Sequence, residues 1–189
     1  MGKLWRQAIL ILCMLVLSAC AYKTAGEAIQ NDIPFNIKQT VHKEKVEDGW
    51  LIFYTTEQKD GSNTFDALAA AYIKGSEKEG WENAGHNHWT YYKNDFMILY
   101  ADTFTTFKED GTLDTKIPVI FGKVVNPDIK TIEAAGPDGK FTKIEIFEKE
   151  NERYYYAIGD YKEVRALDAA GKEIDRQGEK TVKKDWLER

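Results

Sequence analysis

Four Asp-Gly pairs constrain the fold of this 189-residue chain more than any other feature of its sequence. They lie at 48–49, 60–61, 110–111 and 138–139, and each stands between segments rich in β-branched and aromatic residues. Asp-Gly is a strong signal for a tight turn between antiparallel strands, because both residues tolerate the left-handed backbone that such turns need. The pattern therefore predicts a succession of antiparallel strands joined by short turns.

Strand-like segments recur along most of the chain, with little helical periodicity. One segment is ambiguous: the alanines of 64–74 favour a helix, whereas the preceding turn and Gly75 favour a strand, which we adopt. Gly122 interrupts a β-branched run and predicts a bulge. The sequence thus predicts an all-β fold, a single antiparallel β-sandwich or barrel-like domain of about eight or nine strands. The other predicted strands are 41–47, 50–55, 89–92, 96–104, 117–125, 129–134, 141–147, 153–158, 162–167 and 172–175.

Residues 1–19 have the three parts of an export signal in the required order. Lys3 and Arg6 give a positive start, 8–17 is apolar, and Ser18 and Ala19 are small enough for a peptidase pocket. A membrane-spanning helix needs about 20 apolar residues, and this run is shorter. The sequence therefore predicts a signal peptide that is removed.

A cysteine follows the small residues of this signal at once. The motif Leu17-Ser18-Ala19-Cys20 resembles the lipobox of bacterial lipoproteins. That resemblance implies cleavage before Cys20, a diacylglyceryl group on its thiol, and a lipid anchor at the extracytoplasmic face of the cell membrane. The alternative is an ordinary thiol at the end of an uncleaved anchor, although a free cysteine is disfavoured in an oxidising exterior.

The rest of the chain carries a second resemblance. Segments 53–55, 120–122 and 168–174 are similar to those of small, mostly uncharacterised lipoproteins of Bacillus-like bacteria. This resemblance implies no activity and no catalytic residues.

Processing would leave no free thiol in the mature chain. Of the two cysteines, Cys13 lies in the signal and Cys20 carries the lipid. Disulfides, a thiol nucleophile and cysteine-based zinc sites are therefore not expected, and an apolar core has to stabilise the fold. The predicted organisation is a signal over 1–19, lipidated Cys20 and a tether over 20–33, a β-domain over 34–177, and a charged tail over 178–189.

The charge balance argues against nucleic-acid binding. Loss of Lys3 and Arg6 with the signal leaves 24 basic and 31 acidic residues, which moves the formal net charge from −5 to −7. An acidic surface repels nucleic acid and anionic lipid, and no dense basic patch offsets it. The expected partners are the membrane, through the lipid, and a protein of the cell envelope.

Two histidines are the sharpest candidates for metal chemistry. His86 and His88 are two residues apart, so in an extended segment their imidazoles lie on the same side. Two imidazoles alone bind a metal weakly, and His42 or Asp102 would have to supply a third ligand. The alternative interpretation is a pair of polar loop histidines, and no cofactor is expected beyond the diacylglycerol on Cys20.

Aromatic residues suggest a binding surface. Tyr154, Tyr155 and Tyr156 are consecutive, so strand alternation predicts that at least one ring is exposed, and Trp89 is a further candidate. Exposed amphipathic aromatics are common at protein interfaces and in peptide or carbohydrate grooves. The alternative is packing in the core and across neighbouring strands.

Three functions remain open at this stage. The first is a non-enzymatic lipoprotein whose domain binds another envelope protein through an exposed aromatic patch. The second is a small-ligand or metal-binding domain with a cavity lined by histidines or tyrosines. The third is an envelope hydrolase that brings two carboxylates together in a cleft. Catalytic residues are not predicted, since no Gly-x-Ser-x-Gly elbow occurs and neither Ser62 nor Ser76 has an activating context.

Overall fold

The computed structural model describes residues 21–46, 48–87, 89 and 91–178. The predicted lipidation motif at 17–20, His88 and the tail over 179–189 lie outside these described residues. The elements are α1 (Ala25–Asp32), β1 (Ile37–Val46), β2 (Gly49–Asp60), β3 (Asn63–Ser76), β4 (Gly80–Asn83), β5 (Met97–Phe107), β6 (Leu113–Val124), β7 (Thr131–Ala135), β8 (Phe141–Ile144), β9 (Ile146–Lys149), β10 (Glu152–Ile158), β11 (Glu163–Leu167) and β12 (Glu173–Gly178).

The strands form three antiparallel sheets of four strands each, so the predicted all-β fold is confirmed. The N-terminal sheet has the order β1-β2-β3-β4, the central sheet β5-β6-β10-β9, and the C-terminal sheet β12-β11-β7-β8. The predicted number of eight or nine strands is too low. Three of the missed or merged strands (β4, β8 and β9) have four residues each, which is too short for a pattern of alternation to stand out.

The central sheet is apolar on both faces because it lies between the other two sheets. Its strand β6 accordingly has a nearly continuous apolar run, which is typical of strands buried on both sides. One core cluster joins Phe104, Phe121 and Tyr154 to Leu51, Phe53 and Tyr72 of the N-terminal sheet. A second cluster joins Leu99, Ile120 and Tyr155 to Ile132, Val164 and Ala166 of the C-terminal sheet.

The predicted tether over 20–33 is wrong from Ala25 onward, because α1 packs on the outer face of the N-terminal sheet. Ala28 and Ile29 of the helix are buried there, together with Ile33 just beyond it. The Thr24 side chain caps the helix by accepting a hydrogen bond from the Glu27 N–H at 3.1 Å. No helix among the described residues is long and apolar enough to cross a bilayer.

The ambiguous segment 64–74 is a strand, as predicted, and its alanines have a packing role. Ala69 and Ala71 of β3 face α1, and their small side chains let the helix approach the sheet closely. Ala70 points the other way, into the cluster shared with the central sheet. Packing against two different layers thus overrides the helical propensity of alanine.

Three local predictions differ from the structure. Residues 89–92 do not form a strand in the part that is described, where Trp89 makes a single bridge to Ala69. Segment 141–147 is divided at the exposed Glu145, with β8 in the C-terminal sheet and β9 in the central sheet. Gly122 does not form a bulge, because the pairing of β6 with β5 and with β10 continues through it without a register shift. The Tyr155 ring occupies the space that a side chain at position 122 would need.

Candidate functional site: a cleft along the open edge of β5

A cleft of about 600 Å³ lies where the central and C-terminal sheets diverge. Strands β5 and β6 have eleven and twelve residues, whereas β11 and β12 have five and six, so the C-terminal sheet covers only part of the central one. The uncovered part presents the small side chains of Ala101, Thr103 and Pro118 to the cleft. The opposite wall consists of Gly159–Val164 and Gly178, and we call this space the edge cleft.

The edge cleft follows β5, which is an edge strand of the central sheet. At the first residues of β5, side chains occupy the edge. Gln177 Nε2 donates to the Met97 carbonyl oxygen at 2.8 Å, and the Tyr92 hydroxyl contacts both the N–H and the carbonyl oxygen of Leu99. Since backbone groups alternate in direction along a strand, those of Ala101 and Thr103 point to the same side. Beyond Leu99 the backbone edge of β5 therefore borders the cleft at Ala101 and Thr103, where no further strand pairs with it in the described part of the chain and the Thr103 N–H donates to Asp102 Oδ1 at 2.7 Å.

Three carboxylates stand at the cleft, each close to a cationic or ionisable partner. Asp102 Oδ1 lies 2.8 Å from His86 Nε2, and Asp160 Oδ1 lies 2.7 Å from Lys162 Nζ. Glu163 Oε1 lies 3.0 Å from a guanidinium nitrogen of Arg176. Lys162 is the single basic residue that lines the cleft among the described residues, and His86 and Arg176 pair with Asp102 and Glu163 from outside the lining.

Tyrosines give the cleft its aromatic surface. Tyr92, Tyr100 and Tyr161 all line it. The Tyr92 hydroxyl is held by Leu99 and lies 2.8 Å from Gln177 Oε1, so this ring is fixed in place. Burial raises the pKa of the Tyr100 hydroxyl well above its usual range, and this group therefore stays neutral. The cleft thus offers phenol rings beside carboxylates.

The predicted histidine pair is only half described. The His86 ring stacks on Phe104 with centroids 5.4 Å apart, and its Nε2 lies 2.8 Å from Oδ1 of Asp102, which the sequence offered as a possible third metal ligand. His88 lies outside the described residues. His42 is on β1 at the far edge of the sandwich, where its ring stacks on Tyr156, so it does not join His86. In the described part of the chain, no group of three or more His, Cys, Asp or Glu side chains is placed to hold a metal ion.

The predicted aromatic surface at 154–156 is wrong for two of its three residues. Tyr154 and Tyr155 are 2% and 1% exposed, because β10 lies inside a sheet that is covered on both faces. Tyr156 is partly buried, and its hydroxyl donates to Glu44 Oε2 at 2.6 Å. Trp89 is half-buried and packs edge-on against Phe65, with the exposed Tyr91 ring 4.2 Å from Phe65 on the same surface.

Comparisons with known proteins add no assignment. No protein-family model matches the chain, and no curated protein or solved structure shows significant similarity to it. The residues of the edge cleft were missed by sequence reasoning because they come from separate segments, 92–103, 118–120 and 159–178. The signal available was the Gly159-Asp160-Tyr161-Lys162 loop, which mixes both charges with an aromatic ring.

Proposed function

We propose that the protein is a lipid-anchored, extracytoplasmic binding module without enzymatic activity, which holds an extended segment of another envelope protein in the edge cleft. The observation that carries this proposal is the edge of β5 beside the cleft, where a side chain, Asp102, and not a neighbouring strand accepts the hydrogen bond of the Thr103 N–H. An extended peptide can add to such an edge as a further strand, with main-chain hydrogen bonds for affinity and side-chain pockets for specificity. The lipobox-like motif at Cys20 supplies the anchor, and the diacylglycerol is the only covalent group that the proposal requires.

The lining of the cleft indicates the chemistry of the bound segment. Asp160 and Glu163 already have the cationic partners Lys162 and Arg176, so the bound segment would place a lysine or arginine near Asp102 and His86. Tyr92, Tyr100 and Tyr161 provide flat, rigid contact area for an aliphatic or aromatic side chain. The partner is thus a protein segment with basic and apolar residues in alternation.

A photocrosslinking amino acid at position 101 of the full-length protein tests this function in intact cells. The expected result is one envelope protein crosslinked through one extended segment, identified by mass spectrometry. The same photocrosslinking residue at Ser62, an exposed turn position between β2 and β3, serves as the control and should capture none of it. Equal capture from both positions, or none from position 101, would contradict the proposal.

A pair of matched substitutions separates the cleft from the rest of the surface. Ala101→Trp fills the cleft, whereas Ala170→Trp adds the same side chain at an exposed turn before β12. Partner capture should be lost in the first variant and retained in the second. If both variants capture the partner equally, the edge cleft is not the binding site.

A small-molecule ligand is the second candidate, because the cleft volume of about 600 Å³ lies within the range of known ligand pockets. A thermal-shift screen of small molecules against the mature chain tests it. A stabilising compound should lose its effect in Tyr161→Ala, since that ring covers the cleft. If no compound raises the unfolding temperature of the wild type, this candidate is rejected.

A further inference from the structure

The chain joins the N-terminal sheet directly after the predicted lipidation site. The Tyr22 N–H donates to the Trp81 carbonyl oxygen at 2.7 Å, and the Trp81 N–H donates to the Tyr22 carbonyl oxygen at 2.8 Å. Tyr22 is two residues after Cys20, and two residues of extended chain span at most about 7 Å. A lipid on Cys20 would therefore hold the edge of β4 close to the bilayer surface.

Close contacts around the Tyr22–Trp81 pair hold the chain tightly against β4. Any side chain at Gly80 would come within 2.6 Å of the Ala21 Cβ, and Gly80 has a φ of +88° that disfavours other residues. Farther along the chain, Asn83 holds the end of α1 through hydrogen bonds of 2.8 and 3.2 Å to Asp32. The attachment point, α1 and β4 therefore form one rigid unit.

The turn between β5 and β6 lies at the same end of the molecule as this attachment. Trp81 pairs with Gly75 across β3 and β4. The preceding residue, Lys74, forms an ion pair with Asp114, the second residue of β6. A short path of contacts thus connects the anchored edge to the β5–β6 turn.

This turn carries the most exposed large apolar side chains of the described residues. Phe107 is 65% and Leu113 is 53% exposed, and they face each other as a cross-strand pair. We call Phe107, Leu113 and the turn 108–112 between them the hairpin tip. Single exposed apolar residues are ordinary on a protein surface, but a directly paired phenylalanine and leucine at the end of a hairpin form a small apolar patch.

We propose that the hairpin tip inserts into the lipid surface to which Cys20 is anchored, so that the domain lies on the membrane in one orientation. This inference rests on the lipid anchor of the proposed function. The lipid and the Phe107–Leu113 pair would then be two separate membrane contacts, with the two apolar side chains about 5–10 Å into the boundary between headgroups and acyl chains and the charged Lys108, Glu109 and Asp110 among the headgroups. Because the domain is acidic and anionic headgroups repel it, the attraction comes from the apolar side chains and not from charge.

The cysteine content of the protein suits a direct test. In the mature, lipidated chain Cys20 is blocked and Cys13 is gone, so an introduced cysteine takes up a fluorophore at one position. Glu109→Cys places the label in the hairpin tip, and Ser62→Cys places it at the β2–β3 turn, roughly 35 Å away along β3. Each full-length lipidated protein is reconstituted into phosphatidylethanolamine and phosphatidylglycerol vesicles that contain a spin-labelled quenching phospholipid.

We expect the label at position 109 to be quenched clearly more than the label at position 62, because position 109 lies beside the membrane contact and position 62 lies beyond the far end of β3. Adding Phe107→Ser and Leu113→Ser should reduce quenching at position 109 to the level of the control. Both side chains are more than half exposed, so these substitutions leave the core intact. The protein should still float with the vesicles, since the lipid on Cys20 remains.

The outcomes separate this inference from the proposed anchor. If wild type floats with the vesicles but the two labels are quenched equally, the orientation is overturned and the anchor stands. If wild type floats no better than Cys20→Ala, the anchor itself is wrong, and the inference fails with it. If position 109 crosslinks to a protein and its label is not quenched by lipid, the hairpin tip binds a protein partner. That result would also overturn the inference.

Discussion

Gly122→Ala is a sharp test of the packing between the central and C-terminal sheets. An ideal Cβ at Gly122 would lie 1.9 Å from the Ile98 carbonyl oxygen and 2.5 Å from the Tyr155 hydroxyl. Tyr155 is 1% exposed, and its hydroxyl donates to that same carbonyl oxygen at 2.9 Å. The ring therefore cannot move away without losing a buried hydrogen bond and disturbing the core.

The expected loss of stability follows from three contributions. Overpacking costs about 1–3 kcal/mol, and loss of the Tyr155 hydrogen bond costs about 0.5–1.5 kcal/mol. Alanine is more favourable than glycine within a strand, which offsets about 0.5–1 kcal/mol of this loss. The free energy of unfolding should thus fall by about 0.5–4 kcal/mol. Each kcal/mol lowers Tm by about 2–4 °C for a chain of this length.

Urea denaturation of residues 21–189 measures this change. Gly136→Ala is the matched control, because its nearest neighbours would lie at ordinary distances of 3.6 and 3.8 Å, and it should stay within about 0.5 kcal/mol of wild type. In a Tyr155→Val background the cost of Gly122→Ala should fall, since the ring that it collides with is gone. A Gly122→Ala protein as stable as wild type would refute the reasoning.

Three further predictions concern other parts of the molecule. Tyr92→Phe removes the hydroxyl that contacts Leu99 and Gln177, so the free energy of unfolding should fall by about 1–3 kcal/mol in urea denaturation; an unchanged value would argue against those contacts. Hydrogen bonds from the Tyr156 hydroxyl and from His42 lower the pKa of Glu44 below its usual value of 4.5, so its carboxylate stabilises the fold at higher pH. The stability advantage of wild type over Glu44→Gln, followed as Tm against pH, should be present above pH 4.5 and disappear as the pH falls through the lowered pKa; a pH-independent difference would contradict this. Ile29→Ala in α1 should cost about 2–5 kcal/mol and speed proteolysis between 25 and 33, whereas a flexible tether would show neither effect.

Turn chemistry made the hairpins predictable. All four Asp-Gly pairs lie at turns between paired antiparallel strands. Gly61, Gly111 and Gly139 have positive φ angles, the left-handed backbone that glycine adopts without steric cost. The Asp110 and Asp138 side chains accept hydrogen bonds from backbone N–H groups two residues ahead, which closes their turns locally.

The assignment of strands to sheets was not predictable in the same way. Segment 141–147 alternates apolar and polar residues without a break, yet it changes sheets at Glu145. Alternation reports that a residue faces a core, and it does not report which core. The burial of Tyr154 and Tyr155 was missed for the same reason, because only the third sheet covers the second face of β10.

The edge cleft also escapes a reading of local sequence. Its floor is open because β5 and β6 are longer than β11 and β12, and this difference in length appears only when the sheets are stacked. Asp102 was named from the sequence only as a possible third metal ligand from a distant strand, and in the structure it contacts His86. Its place at the margin of a cleft depends on the distant loop 159–163.

Because the central sheet is buried on both faces, each of its apolar faces stays exposed until the sheet that covers it has formed. Synthesis delivers residues 25–83 first, and these contain α1 and the whole N-terminal sheet. The helix covers one face of that sheet. The other face is covered only when Leu51, Phe53 and Tyr72 pack against the central sheet, through Phe104, Phe121 and Tyr154. Until β10 is complete, the emerging chain therefore exposes an apolar surface that is prone to aggregation. A chaperone that shields this surface would limit aggregation.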